Sequence, residues 1–372
     1  MTSRKRTIVG VVAAAVSCVA FSFTSGSAAA HDDDCWTFIT EGPREHGWSP
    51  SASRYAGTNR YETAICLSRI HWTSNSAHVI VLARGDKFPD ALAGAPLATW
   101  NHGLLLLTPP DELPAMVMEE IKRVTQPGAL VYLLGGTSSI SNDIQDELDD
   151  VGFETHRLAG KDRYETAVEV AKELPGVSNF FFATGNNFPD AVAAGNAAAS
   201  FNAVFSGYDP DVHPMAILLT NDDAIEQHVV DFVNAHHDPA APVGGMFTAG
   251  GPADRAAVNA FGASNLGGRF VGSNRFDTAV QIAEHLLFFP PHPQEVTLAT
   301  GLNFPDALAA SATFGRWGAP LLLTRSTTPG AETLAYLESN DGDSHVMTVM
   351  GGASAISDAV VRQAHQAWVR DD

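Results

Sequence analysis

Arg60, Arg163 and Arg275 hold the same place in three near-copies of one stretch. The copies read Gly57-Thr58-Asn59-Arg60-Tyr61-Glu62-Thr63-Ala64, Gly160-Lys161-Asp162-Arg163-Tyr164-Glu165-Thr166-Ala167 and Gly272-Ser273-Asn274-Arg275-Phe276-Asp277-Thr278-Ala279. A guanidinium offers a planar fork of donors that suits a phosphate or a carboxylate. At this position it either recognises an anionic ligand or pairs with a carboxylate of the chain, for which Asp90, Asp190 and Asp306 are the candidates. These aspartates lie in a second recurrent stretch: Phe88-Pro89-Asp90-Ala91-Leu92-Ala93, Phe188-Pro189-Asp190-Ala191-Val192-Ala193 and Phe304-Pro305-Asp306-Ala307-Leu308-Ala309. Thr108, Thr220 and Thr324 each close an aliphatic run. Their hydroxyls fall at strand ends, where an open α/β sheet places its ligand crevice. Catalysis needs one particular constellation, whereas a repeated one presents similar surfaces to a repetitive partner. Binding is therefore the first expectation.

Enzyme signals are poor. The chain has no His-Glu-x-x-His, Gly-x-Ser-x-Gly or paired Cys-x-x-Cys, and its 14 histidines show no metal-ligand spacing. No catalytic residue, metal or cofactor is expected. The Gly135-Gly136, Gly250-Gly251 and Gly351-Gly352 pairs read as tight turns, since the fuller dinucleotide fingerprint is missing. Phe88, Phe188 and Phe304 are packing anchors or sugar platforms. His236-His237, in a polar stretch beside Pro239, should be exposed.

The elements that must position these residues alternate between strand and helix. Asn59, Asp162 and Asn274 with Glu62, Glu165 and Asp277 make capping-box arrangements at helix starts. His78 to Ala83, Leu104 to Leu107 and Ala129 to Leu134 are strands. Pro89 suits a first helical position, and Ser141 caps a helix through Ile144, Leu148 and Val151. Such alternation implies parallel strands and βαβ units. The repeats start 103 and 112 residues apart, so each is a small domain and not a solenoid turn. The predicted fold class is α/β: three tandem Rossmann-like modules in a pseudo-threefold arrangement.

Boundaries follow. Residues 1–30 read as a secretion signal: Arg4-Lys5-Arg6, an apolar stretch from Ile8 to Phe23, then Ala28-Ala29-Ala30. Residues 31–53 are a polar leader, and the repeats are 54–156, 157–268 and 269–372. Each repeat opens on an arginine: Arg54, Arg157 and Arg269. Cys35 and Cys66 form one bridge or remain two thiols. Repeat two is longer between its Phe-Pro-Asp and its Thr. The extra residues fall near Phe201 to Met215, with Gly207, Pro210 and Pro214, and read as a surface loop. Repeat two also has Pro252-Ala253-Asp254-Arg255 where the others have Ser-x-Ile-Ser, so its last helix should start differently. The net charge of −20, carried by 42 acidic against 22 basic residues, argues against nucleic acid and anionic membrane as partners. No membrane span is expected beyond the signal.

Taken together, these motifs resemble the type 2 cell wall-binding repeat, over about residues 54 to 372. The resemblance implies Rossmann-like units in a pseudo-trimer, in secreted, wall-associated Gram-positive proteins. It implies non-covalent attachment to an anionic wall polymer, teichoic-acid-like or a secondary wall polysaccharide, with peptidoglycan itself a further candidate. The family's binding-associated aliphatic run falls here on Leu105-Leu106-Leu107, Ile217-Leu218-Leu219 and Leu321-Leu322-Leu323. Two other readings stand beside it. One is an amidase-type peptidoglycan hydrolase, or a modifier of one, with a divergent site around Tyr208, Asp209, Asp211 and His213. The other is an adaptor that recruits another wall protein.

Overall fold

The computed structural model describes residues 35–41, 51–205, 212–239, 245–285, 295–341 and 346–369. The proposed signal lies outside them. Three sheets of parallel strands carry the fold, one per repeat, the third with an antiparallel edge strand. The first contains β3 (Ala77–Arg84), β4 (Leu104–Thr108), β5 (Thr125–Leu134) and β6 (Glu154–Leu158), in the order β4-β3-β5-β6. The second contains β7 (Asn179–Thr184), β8 (Met215–Thr220), β9 (Met246–Ala249) and β10 (Leu266–Phe270), in the order β10-β9-β7-β8. The third contains β11 (Glu295–Thr300), β12 (Leu321–Thr324) and β13 (Val346–Met350). Its remaining strands come from the front of the chain. β2 (Ser51–Tyr55) pairs parallel to β13, and β1 (Trp36–Glu41) lies antiparallel outside β2.

Each sheet is thus completed by the opening strand of the following repeat, and the third is completed by that of the first. The sequence repeat and the sheet are out of phase by one strand. The leader expected at 31–53 contributes β1 and the start of β2, and the Cys35–Cys66 bridge ties it to α1 (Arg60–His71). Arginines fasten each junction. Arg54 donates to the Gly351 and Ile356 carbonyls at 2.6 and 2.7 Å and to Asp358 at 2.9 Å. Arg157 donates to the Gly135 and Ile140 carbonyls at 3.2 and 2.7 Å. In repeat two the last helix, α8 (Gly251–Phe261), starts directly at the Gly-Gly turn, as its different sequence requires. There Arg269 forks onto Asp254, both bonds at 2.6 Å. The carboxylate takes over the role of the carbonyls. In repeats one and three Ser141 and Ser357 cap the corresponding helices, α4 (Asn142–Asp150) and α12 (Asp358–Trp368).

The Phe-Pro-Asp stretches start the helices at the centre: a 3-10 turn (Pro89–Ala93) leading into α2 (Gly94–Trp100), α6 (Pro189–Phe205), and α10 (Pro305–Arg316). Their Ala- and Gly-rich faces let backbones approach. A β-carbon on Gly315 would sit 2.7 Å from the Asn196 carbonyl oxygen of α6. Buried amides bridge the modules. Asn196 accepts from the Leu321 N–H at 3.0 Å and donates to the Ala319 carbonyl at 3.3 Å. Asn202 accepts from the Met215 N–H at 2.8 Å and donates to the Pro96 carbonyl at 3.0 Å. Such satisfied buried polar groups fix one register between helices that are otherwise nearly featureless. The presumed loop from Phe201 is helical as far as Phe205, because Asn202 binds the start of β8 and Phe201 is buried.

Candidate functional site: the inter-module grooves

The repeated octapeptide builds one local structure three times. Asn59, Asp162 and Asn274 cap α1, α5 (Arg163–Lys172) and α9 (Arg275–His285), each accepting from the second and third helical N–H groups. The carboxylate three residues on bonds to the N–H before the cap residue: Glu62 to Thr58 at 2.7 Å, Glu165 to Lys161 at 2.8 Å, Asp277 to Ser273 at 2.7 Å. The threonine hydroxyl of the motif accepts from the leading glycine N–H, at 3.1, 3.1 and 3.3 Å. A β-carbon on Gly57 would overlap Glu62, which explains the glycine.

This turn aims the arginine, half-buried in every copy, at the loop after the first strand of its module. Arg60 Nη1 donates to the Gly85 carbonyl, Arg163 Nη1 to Gly185 and Arg275 Nη1 to Gly301, the last two at 2.5 Å. Among the described residues, none of these arginines has an ion pair within 4.0 Å, so the expected direct pairing with Asp90, Asp190 or Asp306 is not the arrangement found. The sequence reading overlooked the receiving glycines. Their signal was a glycine three residues before each Phe-Pro-Asp. The ring of the next aromatic lies against it, and a β-carbon on Gly301 would stand 2.8 Å from Phe276.

Two of the three arginines also reach across a module boundary. The Arg60 guanidinium lies 5.9 Å from the Phe304 ring, and that of Arg275 lies 5.9 Å from Phe188. The three phenylalanines meet one another, with centroids 5.7, 6.0 and 6.2 Å apart, so they pack around the pseudo-threefold axis. The aspartates sit behind them against the Gly-Gly turns. Gly135, Gly250 and Gly351 have φ of 94°, 83° and 88°, and a β-carbon on any of them would collide with Asp90, Asp190 or Asp306. Asp90 accepts from the Ser139 hydroxyl at 2.6 Å. Asp190 Oδ1 is buried without a hydrogen-bond partner among the described residues. Burial pushes the Asp190 carboxyl up to about 6, against the opposing pull of Arg275 and the Thr278 hydroxyl. Burial likewise raises Asp306, opposed by Arg60 and Thr63. At these two junctions an arginine thus faces a reluctant carboxylate of another repeat, Arg275 that of repeat two and Arg60 that of repeat three.

The strand-end threonines are placed differently from the expectation. Thr108, Thr220 and Thr324 are 0 % exposed, and their hydroxyls donate to the Glu112, Asp222 and Arg325 carbonyls at 3.1, 3.0 and 3.4 Å. They hold the start of the following loop. The Leu105-Leu106-Leu107, Ile217-Leu218-Leu219 and Leu321-Leu322-Leu323 runs are buried core strand. Tyr208, Asp209 and Asp211 lie outside the described residues, and the His213 carbonyl accepts from Asn179 at 2.7 Å. His236 is exposed and His237 half-buried. Among the described residues no group of three or more His, Cys, Asp and Glu could hold a metal ion, and no helix is long and apolar enough to cross a membrane.

Three tandem α/β units with matching junctions make a repeat-built protein. The family model described as cell wall binding domain 2 (CWB2) matches residues 54–145, 157–253 and 269–361, and the chain belongs to that family. Among curated relatives it is 26% identical over 314 residues to N-acetylmuramoyl-L-alanine amidase LytC of Bacillus subtilis (strain 168), covering 84% of this chain and 58% of the amidase. It is 25% identical over 304 residues to the amidase enhancer of the same organism, covering 82% of this chain and 39% of the enhancer. Among solved structures the fold is similar to Cwp8 from Clostridium difficile (TM-score 0.71, 22% identity, 85% of this chain and 51% of that one). It is also similar to Cwp6 from Clostridium difficile (TM-score 0.70, 18% identity, 90% and 52%). The chain spans between 39% and 58% of the length of these proteins.

Proposed function

We infer that this cell wall-binding chain is secreted and attaches non-covalently to the Gram-positive wall by holding an anionic wall polymer in the grooves between its repeats. The observation that carries this is the threefold recurrence of a half-buried arginine at a module boundary. Nη1 is anchored on a glycine carbonyl, and among the described residues no carboxylate neutralises the guanidinium within ion-pair distance. Anchoring one nitrogen fixes the plane of the fork and leaves the other donors for a phosphate or carboxylate. Several weak contacts on one rigid body add through effective concentration. The role is binding and not catalysis. The amidase match spans the repeats and leaves much of the amidase unaligned.

The test is co-sedimentation of the protein with purified Gram-positive walls, before and after their anionic polymers are stripped. Binding lost on stripping supports the reading. Binding that survives stripping moves the target to peptidoglycan. A folded Arg60→Gln, Arg163→Gln, Arg275→Gln triple variant is expected to lose binding, and unchanged binding would refute the groove.

A further inference from the structure

The three crevices at the strand ends are alike in backbone and unlike in charge. After Thr108, Thr220 and Thr324 the chain continues with Pro109, Asn221 and Arg325, and the aromatic facing that end is Tyr61, Tyr164 or Phe276. In module two the Tyr164 hydroxyl donates to Asn186 at 3.3 Å, Asn186 donates to Asn221 at 3.2 Å, and Asn221 donates to Glu226 at 3.4 Å, a polar chain that ends on a carboxylate and offers no cation. The cation nearby, Arg255, is paired with Asp223 at 2.7 Å. In module one Arg84 gives Nε and Nη2 to Asp86 at 2.6 and 2.7 Å. Lys87 also acts on Asp86, while Asp111 acts on Arg84 and Glu112 on Tyr61.

Module three differs in two linked positions. The aromatic has lost its hydroxyl, and the guanidinium of Arg325 lies 4.3 Å from the Phe276 ring centroid. Arg325 is exposed and, among the described residues, has no ion pair within 4.0 Å. Glu332 is near enough for Arg325 to favour its ionised form, but its carboxylate accepts from Asn274 at 2.8 Å. Arg275, anchored on Gly301, precedes Phe276 in the chain and lies against the same glycine. Stacking on an aromatic face restricts the guanidinium and turns its donor edge toward solvent. In a chain of net charge −20, a cation so held and kept off carboxylates has a vacant claim on an anion.

We propose that the module-three crevice, through Arg325, reads the charged group of the bound polymer, a phosphate or a carboxylate, while the crevices of modules one and two take its neutral portions. The proposal rests on the wall-polymer reading. Its test measures wall binding of wild type, Arg325→Gln, Arg325→Lys and, as a control on the exposed face of α12, Arg362→Gln. Competition uses a soluble poly(glycerol phosphate) and, separately, polygalacturonate. Loss of one charge-assisted contact is expected to weaken Arg325→Gln about tenfold or more. It should also flatten the loss of binding between about 0.05 and about 0.5 M salt. Arg325→Lys should fall between, and Arg362→Gln should match wild type. The polymer that displaces wild type at the lower concentration identifies phosphate or carboxylate, and displacement by neither overturns charge reading at this crevice. If wild type binds walls and Arg325→Gln binds equally with the same salt dependence, the inference is overturned and the groove reading stands. If wild type does not bind walls, both fall.

Discussion

Asp190→Asn should stabilise this protein at neutral pH. The Asp190 carboxyl is covered by the Gly250 turn and the facing repeat, and its Oδ1 has no hydrogen-bond partner among the described residues. Burial raises it from 3.8 to about 6. A carboxyl raised on folding makes the folded state hold the proton more tightly. Stability is therefore fullest below the unfolded value, falls as pH rises between the two values, and stays reduced above the folded one. A shift of this size corresponds to about 3 kcal/mol at pH 7. Asparagine copies the protonated form and carries no charge to desolvate. Urea unfolding, followed by tryptophan fluorescence at steps from about pH 4 to about pH 7.5, should show the two proteins alike at the acid end. The variant should lead by about 2–3 kcal/mol at the neutral end, and using the difference between them cancels the other carboxylates. A difference that stays flat across that range, or a variant less stable at pH 7, would refute the account of Asp190 as a desolvated charge held against Arg275.

Other perturbations address other joints. Gly351→Ala places a β-carbon on Asp306 at φ 88° and should cost about 2–4 kcal/mol, read as a lowered urea midpoint. Glu120 is 1 % exposed and accepts from Arg123 at 2.6 and 2.9 Å and from Arg69 at 3.3 Å. Glu120→Ala should therefore destabilise by about 1–3 kcal/mol, seen as a lower Tm. Removing the Cys35–Cys66 bridge by a paired Cys→Ser change opens a loop of sequence separation 31 and should cost about 3–4 kcal/mol. Hydrogen exchange should then rise first in Trp36–Glu41.

Much of the local structure could be read from the chain because each motif residue has a local task. Asn59, Asp162 and Asn274 are caps, Ser141 is a cap, and Pro305 is a first helical residue, all set by neighbours within a few positions. The Pro252 to Arg255 departure announced a changed helix start for the same reason. Long-range facts were not available. Sequence order gives no sign that Ser51–Tyr55 joins a sheet whose other parallel strands lie between Glu295 and Met350, or that Arg54 holds Asp358. The arginines show the same limit. Charge alone points to pairing with aspartate, but backbone carbonyls are acceptors at every residue, and only the fold reveals that Gly85, Gly185 and Gly301 are the ones in reach. Topology alone turns the strand-end threonines outward, whereas their hydroxyls turn in to satisfy loop carbonyls.

The partnership of β2 with β13 has a consequence in time. Arg54 and the Gly351 carbonyl it holds are 297 residues apart, and Ser51–Tyr55 is among the first stretches of the fold to be synthesised. Its ladder partner is among the last. Closing so large a loop is slow and brings no reward until both ends have arrived. A chain emerging from one end can complete its first and second sheets as it goes, since each borrows a strand that follows soon after. The third must wait, with Ala52 and its neighbours uncovered, until nearly everything else is built. Ring closure is then the final event of folding, and whatever escorts the nascent protein has to shelter one short strand near its front until the back arrives.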